Sequence, residues 1–280
     1  MPKKFSQALA QIGLVLIGLY VLLPIWGILR LSFDGALTSA PTEFRWLPKE
    51  PSFEPFLKVL DRPYQSVEFA TLFKNSMVVS SMATLAAIVM GTSLAYAFAR
   101  FRFPGRKPGL LLLLLTAILP PIAFAPPLYI LLNLLGIRTT HFGLIIVYAA
   151  FAMPFCIWNM RAGFQSIPKE LEEAAFLDGA SQFVTFLRVS LPLALPSIAV
   201  AAIISFLTAY SEFTIGWLFM DQSDMVTLAM AIYAIIQSGS AQPYSQLGSL
   251  ALIVSVPAIA IFLFFQNTLL ERMLFGAIDE

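Results

Sequence analysis

Six stretches of this sequence each approach the roughly 20 mostly apolar residues that a helix needs to cross a bilayer core. They run from about Ala8 to Leu29, Leu72 to Phe98, Leu110 to Leu132, Gly143 to Met160, Leu193 to Phe219 and Leu247 to Leu270. Lipid offers backbone amides no water to bond, so such stretches satisfy their own polar groups as helices. Composition leaves little room for another solution. Apolar side chains make up 59% of the 280 residues and charged ones 12%, where a soluble domain carries about 25% charge. The expected fold is an all-α membrane protein with six transmembrane helices, in a single domain over residues 1–280.

The first stretch follows Lys3 and Lys4 as a signal peptide would, but it exceeds the roughly 7–15 apolar residues of such a segment. No A-x-A cleavage site closes it, so it reads as a retained span. Seventeen basic against 16 acidic side chains leave a charge of +1, which provides no field for nucleic acid. A single cysteine, Cys156, has no disulfide partner, and with one histidine, His141, there is no zinc cluster. Cys156 reads as a small core residue and His141 as a loop residue.

Basic residues in short loops set orientation. With the N-terminus inside, the inner segments hold Lys3, Lys4, Arg100, Arg102, Arg106, Lys107, Arg161, Lys169, Arg188 and Arg272. The later outer loops hold only Arg138. The first outer segment opposes this with Arg30, Arg45, Lys49, Lys58, Arg62 and Lys74, but the remaining loops outweigh it. Both termini are therefore expected inside. The 30–71 loop is rich in proline, which bars a continuous helix; it reads as an irregular cap or as a docking surface for an external partner. The cluster Arg100, Arg102, Arg106 and Lys107 reads as an anchor near anionic headgroups.

The longest inner loop, 161–192, holds a helix start. Pro168 suits the first turn, and Glu170, Glu172 and Glu173 set negative charge against the positive end of the helix dipole. Leu171, Ala174, Ala175 and Asp178 recur at helical spacing, and Gly179 permits a left-handed stop. A second short helix is expected from about Ala180 to Leu191. The first presents acids on one face and small side chains, Ala174 and Ala175, on another, so a second protein can approach its backbone closely.

The spacing here is distinctive: Glu173-Ala174-Ala175, three residues, Gly179, nine residues, Val189, one residue, Leu191-Pro192. It resembles the EAA loop of ABC-importer permeases. The wider run Ile167-Pro168-Lys169-Glu170-Leu171-Glu172-Glu173-Ala174-Ala175, with Asp178-Gly179-Ala180, is similar to the carbohydrate-uptake, MalG-type branch. Asn75-Ser76 at the second span, Ala95-Tyr96-Ala97-Phe98-Ala99-Arg100 after it, and Pro154-Phe155 with Trp158 agree with that family. Two departures stand out. Tyr210-Ser211-Glu212-Phe213 replaces a common Trp-Asn-Glu-Phe, and the tail Phe275–Glu280 lacks the usual basic, glycine-rich character.

The resemblance implies a type I ABC-importer permease fold with a cytoplasmic coupling helix. Glu170, Glu172, Glu173, Ala174, Ala175, Asp178 and Gly179 would dock on an ATPase subunit. It further implies a dimer of ABC ATPase subunits using ATP and Mg, a second, MalF-type permease and an extracytoplasmic sugar-binding protein. The whole would import a sugar or sugar-like solute across a bacterial cytoplasmic membrane by alternating access. No cofactor, metal or catalytic residue is expected in this chain.

Glu212 is an acid inside an apolar stretch, where insertion costs about 2.5–3.5 kcal/mol, so it should face protein or water. With Tyr210, Ser211 and Thr214 it either lines a translocation path or bonds a neighbouring helix. Asn75 is a further path candidate. In the third span Pro120-Pro121 and Pro126-Pro127 remove amide donors, so Pro121 marks either a structural kink or a backbone break facing the path.

Rival classes fare worse. No glycine precedes a lysine, so the chain holds no P-loop. A secondary transporter would favour repeats and several buried ionisable groups, and an intramembrane metalloprotease or serine hydrolase lacks both H-E-x-x-H and G-x-S-x-G. An ABC permease for a non-sugar solute is the nearest alternative.

Overall fold

A computed structural model describes residues 3–43, 45–237 and 243–275, with side chains for those from 10 to 266. The tail beyond Phe275 and the side chains of Lys3, Lys4 and Arg272 lie outside the described residues. Twelve helices follow in order: α1 (Lys3–Ser32), α2 (Glu54–Asp61), α3 (Phe69–Arg100), α4 (Arg106–Ile118), α5 (Ala125–Leu134), α6 (His141–Ser166), α7 (Lys169–Leu177), α8 (Gln182–Thr185), α9 (Leu191–Ser211), α10 (Thr214–Phe219), α11 (Leu228–Gln237) and α12 (Tyr244–Phe275). Among the described residues extended pairing is limited to isolated bridges, Asp34 with Pro51 and Tyr64 with Val67.

Among the described residues five helices are long and apolar enough to cross a membrane, or six if one bent pair counts as a single span. The first, second, fourth and sixth expected spans fall within α1, α3, α6 and α12. The third does not form one rod. α4 stops at Ile118, a 3-10 turn occupies Pro121–Phe124, and the chain resumes as α5 after a bend of 104°. Pro120 and Pro121 lack the N–H groups that would continue the ladder, and Leu119 turns extended, with ψ of 135°. The fifth expected span also ends earlier than drawn. α9 ends at Ser211, Glu212 takes an extended conformation and α10 begins anew at Thr214.

The chain divides into two compact units, one of residues 1–71 and 231–257, the other of 72–230 and 258–280. In the second, small side chains recur every four residues on α3: Ala83, Ala87, Gly91, Ala95 and Ala99, all buried. This stripe lets α6 approach closely, the means by which helices associate where lipid supplies no hydrophobic drive. A Cβ on Gly91 would stand 3.0 Å from Met160 Cε and 3.3 Å from Cys156 Cβ. α6 packs along α9, burying Ala149, Ala152 and Cys156 with Ala194 and Ala201. Cys156 is an unpaired, buried packing residue.

In the first unit, Asp34 organises the segment after α1. Its carboxylate accepts from the amides of Lys49 at 2.9 Å and Glu50 at 3.3 Å, and lies 3.6 Å from Arg30. Phe33, Phe53 and Phe56 cluster beside it. The start of α12 is held to the end of α1, with Ser249 Oγ donating to the Ser32 carbonyl at 3.0 Å. The absence of a side chain at Gly248 permits that approach, since a Cβ there would meet Ser32 N at 3.0 Å.

Candidate functional site

α7 forms where expected. Pro168 sits one position earlier than the first-turn place, as the capping residue with extended ψ of 132°. Glu170 and Glu172 occupy the first turn, where the helix dipole favours negative charge. The helix ends in a Schellman motif. Gly179 N donates to the Phe176 carbonyl at 3.0 Å and Ala180 N to that of Ala175 at 2.9 Å, with Gly179 at φ +83°. An L side chain adopts that conformation at a cost, so glycine defines the stop.

The segment after Gly179 departs from the expected separate helix. α8 is a single turn capped by Ser181 Oγ, which accepts from Val184 N at 3.4 Å. It then passes through a π turn, Phe186–Ser190, directly into α9. Any displacement of α7 therefore acts on a helix continuous with the fifth span.

The acids of α7 divide by direction. Glu170, Glu173 and Asp178 are exposed, as are Ala174 and Gly179, while Ala175 is half-buried. Glu172, expected among the docking acids, is turned inward and 6% exposed. Its Oε1 accepts from Arg100 Nε at 2.9 Å and from Ser190 Oγ at 2.6 Å. Arg100 Nη2 also donates to the Ile167 carbonyl at 2.9 Å. Arg100 thus departs from the expected headgroup anchor: it ties the end of α3 to the end of α6 and to α7. Arg102 and Lys107 remain exposed, and Arg106 Nε donates to the Phe98 carbonyl at 3.0 Å.

Beneath this latch, Tyr96 meets Phe164, Phe186 and Phe101 with ring centroids 5.4, 4.7 and 5.7 Å away. The rings join α3, α6 and the π turn. Around the outward acids stand exposed apolar side chains the sequence reading did not single out: Leu177 at 90%, Phe183 at 69% and Phe176 at 43%. Apolar residues in a charged loop helix are the signal that would have found them. The outward surface combines acids, bare backbone at Ala174, and apolar knobs suited to a protein partner.

The membrane-level candidates are not one constellation. Glu212 bonds a neighbouring helix: its carboxylate accepts from the amides of Ile215 at 2.9 Å and Gly216 at 3.2 Å, capping α10. Tyr148 OH donates to the Glu212 carbonyl at 3.4 Å. Tyr210 is buried and stacks on Phe206, whereas Ser211 and Thr214 are exposed. Asn75, expected on the path, is 7% exposed and engaged elsewhere. Its Nδ2 donates to the carbonyls of Asp224 at 2.7 Å and Val226 at 3.0 Å, so it clamps the segment after α10. Ser76 Oγ accepts from Leu228 N at 2.8 Å, and His141 Nε2 lies 2.9 Å from the Met225 carbonyl. His141 therefore opens α6 and holds this same segment.

Pro121 is exposed in the 3-10 turn, and α10 packs on that turn and on α5. The interruptions of the third and fifth expected spans are thus adjacent. A cavity of about 330 Å³ lies beside the first, lined by Leu113, Thr116, Phe124, Phe151 and Pro154 among others.

Comparison with known proteins adds the following. Residues 72–275 match the family described as binding-protein-dependent transport system inner membrane component. The chain is 30% identical over 262 residues to the trehalose transport system permease protein SugB of Mycobacterium tuberculosis, covering 92% of this chain and 93% of that protein. It is 30% identical over 230 residues to the galactooligosaccharides transport system permease protein GanQ of Bacillus subtilis, covering 82% and 81%. It is 27% identical over 276 residues to the trehalose/maltose transport system permease protein MalG of Thermococcus litoralis, covering 98% and 97%. Its fold resembles a chain of a bacterial ABC transporter involved in import of the acidic polysaccharide alginate. That match has a TM-score of 0.76 at 21% identity and covers 95% and 98% of the two chains. With the EAA spacing on a folded α7 and a match across most of its length, the chain belongs to the family of inner-membrane permease components of binding-protein-dependent ABC importers.

Proposed function

We propose that this chain, acting as one permease domain over residues 1–280, is half of the membrane pathway of an ATP-driven sugar importer in a bacterial cytoplasmic membrane. The solute class is a di- or oligosaccharide. Support comes from relatives named for trehalose, trehalose/maltose and galactooligosaccharide transport. Both termini face the cytoplasm in this reading, which places α7 there.

The observation that carries the proposal is the seating of α7. Glu172 is locked to Arg100 and Ser190, so the helix moves with α3 and the π turn rather than hinging freely. Glu170, Glu173, Ala174, Ala175, Asp178 and Gly179 then form the surface offered to an ATPase subunit, with Glu172 holding that surface in place. ATP and Mg act in the partner ATPase dimer. A second, MalF-type permease completes the pathway, and an extracytoplasmic sugar-binding protein delivers the solute. Pro121, Tyr210, Ser211, Glu212 and Thr214 belong to the two adjacent helix interruptions and are the side of this chain turned to the path; Asn75 supports it from behind.

The test uses single cysteines at Ala174 and Leu177 in the assembled transporter. Crosslinking to the ATPase subunit, varying with bound nucleotide, is the expected result. Absence of any such crosslink in an actively transporting assembly rejects the proposal. Radiolabelled uptake with a panel of disaccharides then assigns the solute.

A further inference from the structure

At the C-terminal end of α1 two neighbouring hollows share Arg30, Pro41, Thr42, Glu43 and Arg45. The first, of about 280 Å³, is polar and adds Lys49, Asp34 and Ser39. The second, of about 310 Å³, runs onto α1 beside Trp26, Gly27 and Leu31. The hollows lie at the end of a membrane-length apolar run, Ala10–Ser32. From Ala10 to Ile28 α1 is mostly apolar and exposed, with Leu19, Leu22 and Leu23 at 61%, 58% and 50%. Trp26 Nε1 donates to the Trp46 carbonyl at 3.0 Å, the pairing of aromatic body and polar edge expected at an interface.

The charges in the polar hollow do not cancel. Asp34 is saturated by two backbone amides and Arg30, and Glu43 pairs with Arg45 at 3.0 Å. Lys49 has no ion-pair partner among the described residues. Arg30 is 8% exposed, and its Nε is buried with no hydrogen-bond acceptor among the described residues. A buried guanidinium N–H without an acceptor is costly and marks a place for one. Arg30, Arg45 and Lys49 against Asp34 and Glu43 leave one net positive charge, the complement of a single phosphodiester.

We infer that this pair of hollows is a binding site for an anionic phospholipid. The headgroup phosphate sits among Arg30, Arg45 and Lys49, and an acyl chain lies along the groove of Trp26, Gly27 and Leu31. Arginine suits the role because its planar fork matches phosphate geometry. Gly27 has nothing within 4 Å of its would-be side chain, which leaves the groove open to lipid.

Native mass spectrometry of the full chain in its purified transporter assembly tests this, titrating phosphatidylglycerol against phosphatidylcholine. Phosphatidylglycerol is expected to bind preferentially, with occupancy lowered about fivefold by Arg45→Gln and by Lys49→Gln, since each removes one cation near the headgroup. Both side chains are exposed, so these variants keep the fold; Arg30→Gln, which also disturbs Asp34, is expected to lose the site entirely. Equal binding of the two lipids overturns the inference. Displacement of phosphatidylglycerol by millimolar inorganic phosphate also overturns it, because the site then takes a free anion. If the two exposed variants leave lipid occupancy intact but weaken capture of the external binding protein, the patch is a protein-docking surface and the lipid assignment is wrong.

Discussion

Arg100 and Glu172 are brought together from 72 positions apart into a buried ion pair, Nε to Oε1 at 2.9 Å, with side chains 7% and 8% exposed. One arginine closes the end of α3, and one glutamate fixes α7, the helix proposed to dock on an ATPase subunit. Removing one member of a buried pair strands the other and typically costs about 3–5 kcal/mol. Glu172→Ala is therefore expected to lower the thermal stability of the purified assembly and to uncouple ATP hydrolysis from uptake. The double variant Arg100→Met with Glu172→Leu recovers most of the stability without the coupling. Scanning calorimetry beside a vesicle uptake assay separates the two; equal loss of stability in the single and double variants would falsify the latch.

Gly179 carries the stop of α7 at φ +83°, with no atom within 4 Å of its would-be Cβ. The constraint is conformational rather than steric. Asparagine visits the left-handed region and valine does not. Gly179→Asn is expected to retain coupling, while Gly179→Val, costing about 1–2 kcal/mol at this one residue, frays the end of α7 and severs ATP hydrolysis from transport. Substrate-stimulated ATPase rates in proteoliposomes decide it, and equal rates in both variants contradict the role given to the turn.

The helices were legible because lipid forces apolar runs to bond their own backbone, and the EAA spacing was legible because it is local. The direction of each α7 acid was not. Successive residues turn by about 100° around a helix, so Glu172 faces inward beside Glu173 facing out. Only the distant Arg100 and Ser190 decide which. The break in the third span was written in Pro120-Pro121. That in the fifth was hidden, since Glu212-Phe213-Thr214 contains no proline or glycine and the new helix start rests on the Glu212 carboxylate. The partners of Asn75 were hidden in the same way: an amide at the head of a span suggests a lining group, and its bonds go to Asp224 and Val226, 149 and 151 residues away.

Glu212 caps α10 through both carboxylate oxygens, on Ile215 N and Gly216 N. Loss of a side-chain cap costs about 0.5–2 kcal/mol. Glu212→Gln keeps one acceptor oxygen and is expected to preserve assembly with reduced transport, whereas Glu212→Ala lowers complex yield as well. Quantifying yield by size exclusion and uptake in vesicles distinguishes these. Wild-type uptake by the glutamine variant would remove Glu212 from the translocation path and leave it as a cap alone.

Gly216 lies where a side chain has no room: a Cβ would collide with Met230 Cε and Tyr148 OH. Met230 is fully buried, at 0% exposure, so its methyl end must shift within a packed core. Forcing a methyl group into such packing typically costs about 1–3 kcal/mol. Gly216→Ala should therefore destabilise the region joining α10 to α6. Shortening the neighbour in Gly216→Ala with Met230→Ala should restore part of the loss, although Tyr148 still crowds the site. Residues in contact show such coupling, where distant ones simply add. A double-mutant cycle read by thermal unfolding of the purified assembly measures it. Strict additivity would mean that Met230 does not hold α10 in place, and the close approach at Gly216 would lose its account.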